Sequence, residues 1–101
     1  MYDLIIYVKD DYKKVPNYKR GVYIIENDKK EVLYIGQSDN LRHRIKYHFI
    51  GKSKNTNYFY KEMYKCSMYY IDYYGDRNIK EKELILKMKP KYNKKLPKRI
   101  I

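Results

Sequence analysis

The chain has no alanine and no tryptophan, and its 101 residues include one cysteine, four glycines and three prolines. Without alanine, larger side chains must fill the core. Leu, Ile, Val and Phe together number 24, so many of the 15 tyrosines must complete it. The lone Cys66 excludes an internal disulfide and a cysteine zinc site, and fits a reducing compartment. No apolar run approaches the roughly 20 residues that span a bilayer. The first residues lack a secretory pattern, because Leu4 to Val8 is short and Asp10-Asp11 follows it. The expectation is a soluble protein with no membrane partner. It would be cytoplasmic or nucleoid-associated, or in a host cytoplasm if phage- or virus-encoded.

Acidic residues are also scarce. Twelve Asp and Glu stand against 24 Lys and Arg, a net charge of +12. A/T-rich coding accounts for abundant Lys, Ile, Asn and Tyr, but not for this imbalance, since Asp and Glu are equally available to it. A strongly basic chain of this size implies a polyanionic partner, nucleic acid first.

One domain over 1–101 is expected, with a core at about 20–93. Residues 1–19 read as an N-terminal edge strand (Leu4 to Val8) and a connection, and 94–101 as a basic tail. Residues 21–26 and 31–35 read as strands joined by a turn over Asn27 to Lys30. A symmetric turn sets Tyr23 directly opposite Tyr34 and Ile25 opposite Val32, on one sheet face. Ser38, Asp39 or Asn40 can cap a helix from Leu41, with Leu41, Ile45 and Phe49 as its apolar stripe. Arg44 and His48 lie beside that stripe, four residues apart. Tyr58 to Met63 reads as one or two helical turns and Cys66 to Tyr73 as a third core strand. Gly75-Asp76 reads as a break, with Asp76 capping a helix from Arg77 to Lys89 that Pro90 stops. The fold class is α/β (α+β): a small, mainly antiparallel three-stranded sheet flanked by helices, with a possible extra edge strand.

Taken singly, Arg44 and Glu81 read as surface charges, His48 as a packing residue and the tyrosines as core aromatics. Their order together suggests phosphodiester chemistry, in which a guanidinium grips phosphate and a Glu holds one hard divalent cation. Glu81 and Glu83 fall on different helix faces, and no Asp-rich cluster exists to hold two metals.

Gly21-Val22-Tyr23, ten residues, then Tyr34-Ile35-Gly36 resembles the paired tripeptides of the GIY-YIG nuclease family. Asn40-Leu41-Arg42-His43-Arg44-Ile45 resembles its helix. Glu81, Leu84-Ile85 and Lys89-Pro90-Lys91-Tyr92-Asn93 resemble its metal-binding glutamate and closing Pro-x-Tyr-Asn. The ending and the Asn-Leu helix are similar to the UvrC-type N-terminal nuclease domain. The chain is expected to be a small stand-alone member.

The resemblance implies metal-dependent hydrolysis of a DNA phosphodiester by in-line attack of water. Tyr23 would be the general base, Tyr34 would line the site and Arg44 would stabilise the phosphate. His48 would assist the proton transfer. Glu81 would hold one Mg²⁺, with Mn²⁺ as a substitute. Gly21, Gly36 and Asn93 would support the site, with Gly36 leaving room for phosphate or backbone. Ser38, Asn40, Arg42, Lys46, Lys52, Lys54 and Lys91 are candidate nucleic-acid contacts. A tyrosine base has an ordinary pKa near 10. Arg44, the metal or His48 must draw off its proton, so activity is expected to rise above pH 7. DNA, structured or single-stranded, is the expected substrate, with a protein partner or a homodimer for targeting. The alternatives are a non-catalytic DNA-binding or accessory module of the same fold, or a small basic RNA-binding protein.

Overall fold

The computed structural model describes residues 1–93; the basic tail read over 94–101 lies outside them. Four strands form one antiparallel sheet in the order β1-β4-β2-β3. They are β1 (Leu4–Tyr7), β2 (Gly21–Glu26), β3 (Val32–Ser38) and β4 (Lys65–Tyr70). The N-terminal strand lies at one edge, where Leu4 to Tyr7 pair with Met68 to Lys65. The sheet covers the three strands read from the sequence and this added one.

The β2–β3 register differs from the symmetric reading. Tyr23 pairs with Gly36 and Ile25 with Tyr34. Asn27 draws the turn tight: its side-chain oxygen accepts from the Lys29 and Glu31 amides, and Lys30 adopts φ 67°. That makes a three-residue loop rather than a four-residue one. An irregularity between Ile25 and Glu26, opposite Leu33, adds a second residue. The net slip is two residues. Past that irregularity the slip is even and faces are kept; on the turn side it is one, so Val32 packs on the face opposite Ile25 instead of sharing it. Tyr23 and Tyr34 still share one, as diagonal neighbours with ring centroids 6.4 Å apart.

The sheet is covered on both sides, which is why β2 is apolar at every position from Val22 to Ile25. On one face Tyr23, Ile25, Cys66 and Met68 pack against α1 (Leu41–Phe49) and a 3-10 helix over Asn57–Glu62. On the other, Val22, Ile24 and Ile35 pack against Leu84 and Ile85 of α2 (Tyr74–Met88). Full burial of such side chains stabilises the fold by about 1.5–3 kcal/mol each. Val15, wholly buried, pins the connection between β1 and β2 to the first face.

Asn40 caps α1 by accepting from the His43 amide at 3.3 Å. The second helix departs from the sequence reading. It begins at Tyr74, so Gly75 and Asp76 lie inside its first turn, and Tyr73 occupies the cap position without a side-chain bond. Arg77 supplies the local reason: its Nη1 folds back to the carbonyls of Ile71 and Asp72, tying the end of the strand segment to the helix start. The chain leaves α2 at Lys89, which adopts a left-handed conformation ahead of Pro90. Among the described residues no helix is long and apolar enough to cross a membrane.

Candidate active site

Tyr23 projects from the central strand into the layer between the sheet and α1, where only 2% of it is exposed. Its ring lies across Gly36. A Cβ there would stand 2.4 Å from the Tyr23 hydroxyl oxygen. Gly36 therefore makes room for the tyrosine itself, not for phosphate or backbone as the sequence reading had it. Gly21 makes room for backbone: a Cβ would overlap the Tyr69 carbonyl of β4.

The apolar stripe of Leu41 and Ile45 turns His48 inward, and that residue is 1% exposed. The Tyr23 hydroxyl and His48 Nε2 are 2.7 Å apart. His48 Nδ1 lies 2.6 Å from Thr56 Oγ1, itself fully buried. Burial, aided by the nearby Arg44 charge, lowers the His48 pKa to about 4. The ring is therefore neutral at physiological pH and carries one N–H. With that proton on Nδ1, Thr56 accepts it and Nε2 accepts from the Tyr23 hydroxyl; the other tautomer reverses both bonds.

The phenol does not behave as the sequence reading expects. Burial raises the Tyr23 pKa well above 10, and the proximity of Tyr34 pushes it the same way. The Arg44 charge opposes this but is the smaller effect. A dry pocket disfavours phenolate more than one guanidinium favours it. At neutral pH Tyr23 keeps its proton and His48 is the available acceptor for it.

Tyr34, half-buried, packs its ring 5.5 Å from that of His48. Burial, then the Glu81 carboxylate, raise its pKa, while Arg44 lowers it. Both tyrosines thus feel the exposed Arg44 of α1 and Glu81 of α2 from the two sides of the edge strand β3. Glu81 is half-buried. Desolvation raises its pKa, and Gln37 Nε2 donates to its Oε1 at 3.3 Å. No ion pair reaches it among the described residues. A desolvated carboxylate with no direct ion-pair partner, only the more distant Lys82 charge, suits a hard divalent ion, which would relieve its burial cost. Among the described residues no three His, Cys, Asp or Glu side chains cluster. Glu81 is the carboxylate that the site would offer to such an ion.

Asn93 closes the outer edge of β3. Its side chain accepts from the Ile35 amide and donates to the Ile35 carbonyl, each at 2.9 Å. Tyr92 stacks on Phe59 at 4.1 Å and anchors that turn. Several proposed nucleic-acid contacts are committed within the fold. Arg42 donates to the Val15 and Lys13 carbonyls, Ser38 accepts from the Asn40 amide, and Asn40 caps α1. Lys46 sits over the Tyr12 ring, and Lys91 pairs with Glu62. Lys52 and Lys54 stand exposed in the loop after α1. Sequence reasoning missed Thr56 and Gln37, which bond to His48 and Glu81. Nothing in their spacing marks them, because only tertiary contact joins them to the site.

A three-layer α/β domain of this kind, with a buried Tyr–His pair beside an arginine and one carboxylate, has close counterparts. The GIY-YIG N-terminal endonuclease domain of UvrC from Thermotoga maritima, bound to its catalytic magnesium, superposes with a TM-score of 0.69 at 25% identity. The match covers 84% of this chain and 98% of that one. The chain belongs to the UvrC-like GIY-YIG domain family, which it matches over residues 19–94. It is 31% identical to the YurQ protein of Bacillus subtilis over 83 residues, spanning 82% of this chain and 67% of that protein. It is 33% identical over 92 residues to the UvrABC system protein C of Dictyoglomus thermophilum. There it spans 89% of this chain but only 15% of the relative.

Proposed function

We propose that the chain is a divalent-metal-dependent DNA endonuclease that hydrolyses one phosphodiester by in-line attack of water. The observation that carries this reading is the buried Tyr23–His48–Thr56 chain of hydrogen bonds, set beside Arg44 and Glu81. Water attacks phosphorus as the Tyr23 oxygen takes its proton, and the tyrosine's own proton passes to His48 Nε2. Thr56 accepts from Nδ1 and holds the ring in the tautomer that can receive it. The bond to the leaving oxygen breaks and that oxygen takes a proton from solvent. Arg44 grips the phosphate and stabilises the charge that develops on it. Mg²⁺ or Mn²⁺ held by Glu81 would supply further charge stabilisation at the phosphate.

In this scheme the base is a tyrosine–histidine pair rather than a phenolate. His48 is already neutral well below pH 7, so this pair imposes no rise in activity above pH 7. The test is Mg²⁺-dependent cleavage of supercoiled plasmid and of single-stranded and flap DNA by wild type, Tyr23→Phe, Arg44→Ala and Glu81→Ala. Loss of one charge-stabilising donor costs about 10²–10³ in rate, and Arg44→Ala is expected to fall by that much. An inactive wild type that still binds DNA would point instead to a non-catalytic DNA-binding module. Retained cleavage in Glu81→Ala would remove the metal assignment.

A further inference from the structure

A cavity of about 350 Å³ opens beside the site, lined by Gln37, Ser38, Asp39, Arg44, Tyr74 and Arg77. Arg44 belongs to the site described above; Tyr74 and Arg77 do not. Arg77 is only 6% exposed. Its bonds all end on neutral oxygens: Nη1 donates to the Ile71 and Asp72 carbonyls, and Nε to Gln37 Oε1 at 3.4 Å. No carboxylate pairs with it among the described residues. A buried cation bonded only to neutral oxygens keeps its net positive charge and still attracts an incoming anion. Asp39 is the one carboxylate lining the cavity. Against two guanidinium groups, it leaves the cavity positive.

Tyr74 supplies an aromatic face beside that charge. Its ring stands 5.7 Å from the Arg77 guanidinium, a contact that orients it. The residue nevertheless remains 65% exposed, so much of the aromatic surface is free. A phosphate-attracting cation next to an open aromatic face matches the two parts of a nucleotide. Bases stack on such faces whatever their identity. Gln37 also links this cavity to the site, since its amide donates to Asn78 at 3.0 Å and to Glu81 at 3.3 Å.

We propose that this cavity holds the nucleotide next to the scissile phosphate, with its base stacked on Tyr74 and its own phosphate drawn by Arg77. The strand must be unpaired there, because a base within a duplex has both faces covered. Single strands, flaps and bubbles fit; uninterrupted duplex does not. The word scissile rests on the nuclease reading. The binding of an unpaired strand at Tyr74 does not.

The test measures binding alone, with all metal chelated. A labelled single-stranded DNA and a fully paired duplex are titrated with wild type, Tyr74→Phe and Tyr74→Ala. Tyr74→Ala is expected to weaken single-strand binding about 10-fold, the loss of one stacked base, while Tyr74→Phe stays within about twofold. Duplex affinity should be the same in all three proteins. Single-strand affinity unchanged in Tyr74→Ala overturns the inference, and so does an equal loss on single strand and duplex. The nicking assay is read separately. If wild type does not cut but Tyr74→Ala selectively loses single strands, the cavity stands and the nuclease reading falls.

Discussion

Replacing Gly36 by alanine places a methyl carbon 2.4 Å from the Tyr23 hydroxyl oxygen, 2.6 Å from its Cζ and 3.1 Å from Tyr34 Cε2. Ordinary contact begins near 3.4 Å, so the hydroxyl must retreat by about 1 Å in a close-packed interior. Little space exists for the retreat. Tyr23 is 2% exposed, is held at 2.7 Å by His48, and has the Tyr34 ring on one flank. Either the β2–β3 ladder parts beside Gly36, or the Tyr23–His48 bond breaks. Overpacking of this kind costs about 1–3 kcal/mol. A broken bond leaves buried polar groups unpaired, at about a further 1–3 kcal/mol. At about 4–8 °C per kcal/mol for a domain of this size, Tm should fall by roughly 10 °C or more. The proposed chemistry should slow about 10²-fold, the usual consequence of a 1 Å misplacement. Thermal unfolding and Mg²⁺-dependent nicking, the latter at a temperature where the variant stays folded, measure the two effects. Gly75→Ala is the control. A Cβ there meets nothing within 4 Å, and helix propensity alone should raise stability by up to about 1 kcal/mol. Wild-type Tm and wild-type nicking in Gly36→Ala would refute the packing of Tyr23 across this glycine.

Acid should destabilise the protein through His48. Its folded pKa of about 4 lies below the ordinary 6.5. The unfolded chain therefore binds a proton in that window that the folded chain refuses. Stability is fully present above pH 6.5 and falls by about 3 kcal/mol as pH drops to 4. The raised Glu81 pKa acts in the opposite sense. Urea midpoints at pH 7 and pH 4.5 should therefore be compared between wild type and His48→Phe, which is expected to lose much of the dependence. Thr56→Val keeps the shape and removes the partner of His48 Nδ1, at about 1–3 kcal/mol. It should also mix the two ring tautomers, visible in the ¹⁵N shifts of His48; a single unchanged tautomer would argue against the role given to Thr56. Asn93→Ala removes both bonds to Ile35 and should speed amide exchange at the β3 edge beside Gly36. Unchanged protection there would show that Asn93 does not clamp the strand.

The strands and the first helix were legible because each rests on local pattern: apolar runs, helical spacing and a run of capping residues, Ser38, Asp39 and Asn40, of which the structure uses Asn40. The second helix was misread by three residues. Gly75-Asp76 carries the composition of a break, but Arg77 reaches back to the Ile71 and Asp72 carbonyls, a side-chain-to-backbone tie that composition and periodicity do not show. The register was misread by two for a similar reason. A side-chain turn at Asn27 and an irregularity opposite Leu33 are not visible in hydrophobic alternation. The shared face of Tyr23 and Tyr34 survived only because the error was even.

By itself, the sequence determined the inventory of the candidate site: two tyrosines on one hairpin, Arg44 and His48 a helical turn apart, and Glu81 far along the chain. Periodicity and spacing carry that information, and the resemblance to the GIY-YIG family rests on it. What those groups do was decided by the tertiary structure. Burial between sheet and helix raises the Tyr23 pKa and lowers that of His48. At neutral pH Tyr23 therefore keeps its proton beside a neutral His48, and the base proposed is that pair and not the phenolate that the family resemblance suggests. Thr56 joins them, and Gln37, Arg77 and Tyr74 frame a cavity, through contacts between distant segments. Desolvation depends on every neighbour at once, and no local stretch of sequence encodes it.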